Sequence, residues 1–210
     1  MFDTFLKNWK KRKLTNPKYE YLFEPYGEDE YICFDCETTG LNPKIDDIIS
    51  IGAVKIKGNT ILASQKFERF IKPKKKLGGD SIKIHQIREC DLADAKDIDE
   101  VIYEFLDFIG NRPLVGYYLE FDVAMINKYT TSKIGIKLPN KQIEVSALYF
   151  DKVIGKIPQG NIDLRFNTIM KKLDLPMMGK HDAINDAIMT AMIFLKLSSQ
   201  FIPNKTINTY

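Results

Sequence analysis

Asp35 and Glu37 interrupt an apolar, β-branched run, YICFDCETT, that reads as a strand. A spacing of two puts both carboxylates on one face. Strands disfavour acids, and neighbouring anions repel each other. One reading is a half-exposed edge strand with a polar outer face. Against it, Ile32 and Phe34 fall on the opposite face and Cys33 shares the face of the acids, so the strand looks covered on both sides. Buried paired anions need a compensating cation, and the segment therefore points to a metal site.

A third acid lies far along the chain, in DAINDAIMTAMIFLKL. At ~100° per residue, the apolar side chains of this helix cover nearly its whole circumference, as expected of a buried helix. Asp186 sits inside it. Either it serves a cation, or it belongs with Thr190 to an exposed stripe. His181 precedes Asp186 by five residues, which in regular helix turns the two apart by ~140°. With Gly179 before it and Asp182 as a helix N-cap, His181 belongs on the loop leading into the helix. From there it can swing toward the same site; a bystander role is the alternative. Asp122 follows the strand PLVGYY and opens a helix, where an acid simply favours the macrodipole. Nothing local selects it.

Elements to position these residues can be read from periodicity. Tyr31–Thr38, Ile48–Ile56 and Thr60–Ile71 read as three strands of an antiparallel meander, the last two joined at Gly58-Asn59. Ile98, Val101, Ile102, Phe105, Leu106 and Ile109 fit one helical face. A short strand at Pro113–Tyr117, a helix at Phe121–Tyr129, a strand at Ile143–Ala147 and helices at Ile162–Leu173 and Asp182–Ser198 follow. The pattern predicts an α/β fold: a mixed sheet of three antiparallel strands plus parallel strands, flanked by helices.

The 210 residues suit one domain with a short appendage. At 44% hydrophobic and 28% charged, the chain has too much Ile, Leu and Phe to be mainly disordered. No apolar run approaches the ~20 residues of a bilayer span, and MFDTFLKNWKKRKL lacks a secretory signal, so the cytoplasm is the expected location and no membrane is expected as partner. A net charge of +3 names no partner. Its distribution is more informative: basic clusters at Lys7–Lys18 and Lys66–Lys76 are either solvated faces or phosphate-facing edges. Cys33 and Cys36 are spaced C-x-x-C, but an odd offset on a strand separates the thiols to opposite faces, which argues against zinc or redox chemistry. Residues 1–28 read as a basic appendage whose Trp9, Phe2, Phe5 and Leu6 could form an apolar patch, 29–200 as the compact domain and 201–210 as a short tail.

The runs FDCETTG (Phe34–Gly40), FD (Phe121-Asp122) and HDAINDA (His181–Ala187) together resemble the three motifs of the DEDDh family of 3′→5′ exonucleases, typified by the proofreading epsilon subunit of bacterial DNA polymerase III. The resemblance spans Tyr31 to Leu197, and the order, spacing and context of the motifs agree. It implies a ribonuclease H-like fold and an exonuclease domain that holds two Mg²⁺ or Mn²⁺ ions on Asp35, Glu37, Asp122 and Asp186, with His181 as general base. The implied reaction is phosphodiester hydrolysis at the 3′ end of DNA, releasing nucleoside 5′-monophosphates in proofreading or repair. Implied partners are single-stranded DNA, DNA 3′ ends and a DNA polymerase subunit. By the same resemblance Thr38, Ile84, His85 and Phe121 line the pocket of the last nucleotide. Relatives carry His-Asn where Tyr117-Tyr118 stand here, which offers Tyr118 as a stacking surface for a base. Gln86 replaces a glycine of the family's I-H-G-I segment. Two alternatives remain: an RNA-trimming enzyme of the same chemistry, and a non-catalytic nucleic-acid or polymerase-docking module. The presence of all five active-site residues favours an enzyme.

Overall fold

The computed structural model describes residues 7, 9–75, 77–78, 82–83, 85–154, 162–179 and 181–199. Five strands form one sheet: β1 (Glu30–Thr38), β2 (Ile48–Lys57), β3 (Thr60–Phe70), β4 (Leu114–Gly116) and β5 (Gln142–Glu144). Their order is β3-β2-β1-β4-β5, with the first three antiparallel and β4 and β5 parallel to β1. Among the described residues it is flanked by the α-helices α1 (Ile98–Ile109), α2 (Leu119–Ile134), α3 (Val145–Tyr149), α4 (Phe166–Lys172) and α5 (Ala183–Ser199). This is the expected ribonuclease H-like mixed sheet. Among the described residues no helix is long and apolar enough to cross a membrane.

The period-two pattern of β1 divides the core. Ile32, Phe34 and Cys36 pack with α1 and α2 on one face, while Cys33 joins Val54, Ile56 and the buried side of α5 on the other. The two thiols are thus free and sequestered in separate cores, as their offset requires. Helix α1 begins at Asp97, whose carboxylate accepts from Asp99 N at 2.8 Å, and ends at Gly110, where φ is +55°.

Several elements differ from the sequence reading for local reasons. The last strand stops at Glu144, because its Oε1 accepts from both Ser146 N (3.0 Å) and Ser146 Oγ (2.7 Å) and so caps α3 over Val145–Tyr149. Helix α4 starts at Phe166 rather than Ile162: Asp163 binds Arg165 N and the Thr168 hydroxyl, which holds the preceding loop in a turn. Helix α2 runs on to Ile134 through a polar stretch without apolar periodicity and ends at Gly135, φ +77°. The segment read as an appendage is also integrated in part: Pro17–Phe23 forms a 3₁₀ turn whose Tyr19, Leu22 and Phe23 are buried in the core shared with β1. Seven residues are too few to reveal that through periodicity. Trp9 is half-exposed with Lys13 Nζ 3.7 Å from its ring, and Phe2, Phe5, Leu6 and the tail 201–210 lie outside the described residues.

Candidate active site

Asp35 stands beside Gly52 of β2 in the antiparallel register. A Cβ on Gly52 would lie 2.2 Å from Ala183 C and from Ile184 N. Only glycine lets the first turn of α5 lie directly on the sheet at this point. Asp182 starts that turn by accepting from Ile184 N at 3.1 Å and Asn185 N at 3.4 Å. The consequence is positional: Asp186 is laid against β1, and one carboxylate oxygen from each of Asp35, Glu37 and Asp186 lies within 4.8 Å of the others.

Asp122 arrives from the other side. The even-numbered amides of β1 face β4, as Ile32 N shows by bonding Pro113 O at 2.9 Å. But β4 pairs with β1 only at Ile32 and Cys33 and ends at Gly116. Further along, Cys36 N would be left without a strand partner. It donates instead to Asp122 Oδ1 at 3.1 Å, so a buried acid in the first turn of α2 is drawn beneath the end of β1. The arrangement sits at the carboxyl ends of parallel strands, where α/β sheets leave a crevice.

The electrostatics are unbalanced. Burial, then the charges of Asp122, Glu37 and Asp186, holds the Asp35 carboxyl well above the usual carboxylate range. Glu37 is pushed up to about 7 by burial, then by Asp186 and Asp182. Burial likewise raises Asp122, and the Cys36 amide opposes it. Among the described residues no lysine or arginine forms an ion pair with Asp35, Glu37 or Asp122. Carboxylates gathered this closely, with Glu37 and Asp122 buried, have the donor chemistry to hold a metal ion.

His181 is exposed, on a bend at φ +58°, and its backbone N donates to Asp186 Oδ2 at 3.3 Å. It lies off the helix, as its spacing from Asp186 demands. Two clefts meet at it. One, of about 270 Å³, is lined by Asp35, Asp186, Tyr117, Phe166, Asn167 and Thr190 as well as His181. The other, of about 230 Å³, includes His85, Gln86, Ser50, Glu68 and Asp182. Thr190 is buried, so the stripe it shares with Asp186 faces the site rather than open solvent.

Of the residues expected around the last nucleotide, Phe121 and Tyr118 pack together beside Asp122. The Thr38 hydroxyl donates to Gly40 O at 2.7 Å, and Phe121 lies half-buried next to Asp122. Tyr118 is exposed, sits at φ +59° and lies nearly parallel to Phe121, with ring centroids 6.4 Å apart. His85 is buried in the second cleft; its Nδ1 accepts from Ile87 N at 3.0 Å, and its Nε2 makes no hydrogen bond among the described residues. Burial, then the neighbouring His181, lowers its pKa. Ile84 lies outside the described residues. Tyr117, which the family resemblance sets beside Tyr118 near the terminal nucleotide, lines the first cleft, whereas sequence reasoning missed Phe166, Asn167 and Thr190 as cleft-lining groups. Thr190 had a usable signal, being four residues from Asp186 on one helix face; Phe166 and Asn167 had none.

A sequence model of the exonuclease family named RNase_T matches residues 32–194. The chain is 32% identical over 179 residues to the PolC-type DNA polymerase III of Bacillus cereus, covering 83% of this chain and 12% of that protein. It is 35% identical over 173 residues to the corresponding Clostridium perfringens protein, covering 81% and 11%. The chain therefore spans about an eighth of the length of these relatives. Its fold is similar to the nuclease domain of 3′hExo, described as a DEDDh family member bound to rAMP, with TM-score 0.69, 17% identity and coverage of 85% of this chain and 96% of that one. With the family model covering residues 32–194 and relatives more than 30% identical over four-fifths of the chain, the chain belongs to the RNase_T exonuclease family.

Proposed function

We propose that this protein is a metal-dependent 3′→5′ exonuclease that removes nucleoside 5′-monophosphates from the 3′ end of DNA, in proofreading or repair in the cytoplasm. The observation that carries the reading is the gathering of Asp35, Glu37 and Asp186 within 4.8 Å, with Asp122 buried behind them and no cationic side chain paired to Asp35, Glu37 or Asp122 among the described residues. The DNA assignment is supported by the PolC-type relatives, and a DNA polymerase is the proposed partner.

In this reading Asp35, Glu37, Asp122 and Asp186 would hold the metal ions, with Asp122 reaching the site from beneath the end of β1. The donors are all hard oxygens, and the nearby thiols of Cys33 and Cys36 are turned into the cores, which suits two Mg²⁺ or Mn²⁺ ions. Such ions supply Lewis-acid stabilisation of the phosphate and of the leaving 3′-oxygen. The side chain of His181, solvent-exposed at the junction of both clefts, takes the proton from the attacking water. Water oxygen bonds to phosphorus, the bond to the 3′-oxygen breaks, and the freed nucleotide carries the phosphate on its 5′ position. Thr38, Ile84, His85, Phe121 and Tyr118 are the proposed surroundings of that nucleotide.

The test is nucleotide release, with Mg²⁺ or Mn²⁺, from labelled single-stranded DNA, RNA and a duplex with a mismatched 3′ end. DNA is the expected preferred substrate, with the mismatched end trimmed. His181→Ala should lower the rate by about 10²–10⁴ while Mn²⁺ binding persists. Release from none of the substrates, or near wild-type turnover in His181→Ala, overturns the mechanism; preference for RNA establishes the trimming alternative.

A further inference from the structure

We propose that α4 carries the polynucleotide strand on the 5′ side of the scissile phosphate, with Tyr117 as the positioning residue that holds α4 in place. The proposal rests on the exonuclease reading for the location of the scissile bond. The cleft containing Asp35 and Asp186 continues past Phe166 to Asn167. Asn167 also lines a shallow groove of about 470 Å³ with Lys171, Asp174, Leu175 and Met177. The two depressions thus adjoin the same residue, and the proposed track runs past Asn167 from the carboxylates out along α4.

The track has the chemistry of a strand-binding surface. Asn167 and Lys171 are both exposed and lie four residues apart, on one face of the helix. An amide and an ammonium in sequence can follow a sugar-phosphate chain, and the half-buried Phe166 ring and the exposed Met177 offer apolar contact to bases. Asp174 is the one carboxylate lining the groove and limits its positive potential.

Tyr117 fixes this track to the end of β4, the strand next to β1. Its hydroxyl donates to Leu164 O at 3.1 Å and accepts from Phe166 N at 3.1 Å. That satisfies a first-turn amide of α4, whose N-cap Arg165 provides no side-chain cap. Its ring meets Phe166 edge-on at 5.0 Å. Tyr117 directly follows β4, so one side chain connects the carboxyl end of this central strand to the start of α4 and to Asn167 beyond it.

The experiment compares two substrates. One is a single-stranded DNA oligonucleotide; the other is the p-nitrophenyl ester of thymidine 5′-monophosphate, which has a scissile bond and one nucleotide but no preceding strand. Asn167→Ala, Lys171→Glu and Tyr117→Phe should each lower kcat/KM on the oligonucleotide about ten-fold more than on the ester, chiefly through KM. The deficit of Lys171→Glu should shrink as salt rises. Equal losses on both substrates, or no loss on the oligonucleotide, overturn the proposal. Anisotropy of a labelled oligonucleotide in EDTA gives a second readout: Lys171→Glu should weaken binding, and unchanged affinity also overturns it. If the wild-type protein cleaves neither substrate, the exonuclease reading fails, and the anisotropy result decides the track separately.

Discussion

Strand β1 carries a glutamate near each end, and the two have opposite fates. Glu30 and Glu37 are both nearly buried, at 7% and 9% exposure. Glu30 receives Arg112 Nε at 2.8 Å, Lys57 Nζ at 3.0 Å and the Tyr26 hydroxyl at 2.9 Å. Arg112 first, with Lys57 and Tyr26, holds its carboxyl down at about 2 against the cost of burial. Glu37 has carboxylates for neighbours instead, and stands at about 7. Burial alone therefore does not distinguish the two acids; the neighbouring charge does. At Glu30 the protein supplies the cations from its own sequence; at Glu37 no described lysine or arginine forms an ion pair, and under the proposed function a metal ion from solution supplies the compensating charge.

The sharpest way to break this contrast is Asp35→Asn. It removes a charge from the centre of the acidic end, where Asp122, Glu37 and Asp186 all act on it. Nucleotide release should fall below detection. In EDTA the variant should nevertheless melt higher than wild type, because repulsion is relieved. A lower melting temperature in EDTA would mean that these carboxylates are already compensated within the chain.

Gly52→Val attacks the geometry and spares every charge. With a Cβ meeting the Ala183 and Ile184 backbone at 2.2 Å, α5 must shift outward and take Asp186 with it. Overpacking of this kind costs about 1–3 kcal/mol, and displacement of a ligand by about 1 Å lowers turnover on the order of 10²-fold. Unaltered activity would show that the close approach of α5 to β2 is not what assembles the site.

A pH scan separates the two ends directly. For Glu37 the folded-state value is raised, from 4.5 to about 7. Its favourable contribution is full below about pH 4.5 and is lost as pH rises through about 7. The metal-free protein should lose on the order of 3 kcal/mol across that window, as read by denaturant melts in EDTA. A divalent cation should remove most of the loss. Glu30 runs the other way: its value is lowered to about 2, so its contribution is full above 4.5 and disappears as pH falls through about 2.

The same contrast explains what sequence could and could not reveal. Asp35 and Glu37 were legible because two acids in an apolar strand violate a local pattern, and Asp186 because it sits in a helix that is apolar all round. Asp122 violates nothing locally. Its importance comes from a hydrogen bond to Cys36, 86 residues away, at the place where β4 runs out. The core strands and α1 were legible for the same reason as Asp35, since period and polarity agree along them. The ends of α3 and α4 were not, because side-chain caps at Glu144 and Asp163 decide them. Tyr19, Leu22 and Phe23 show the limit of pattern in short segments, being core residues on a turn too brief to have a period.

Glu30→Gln is the mildest test and the control for all the others. It preserves shape and one acceptor oxygen but removes the charge that Arg112 and Lys57 share. Arg112 is 22% exposed and would keep only part of its hydration, whereas Lys57, at 62%, regains water easily. The expected loss is therefore small, about 1–2 kcal/mol at neutral pH, with unchanged Mn²⁺ affinity and turnover. The stability lost on acidification toward pH 2 should shrink along with it. If Glu30→Gln instead impaired metal binding, the two ends of β1 would be electrostatically coupled, and the division between an internally neutralised acid and one that recruits a cation would not hold.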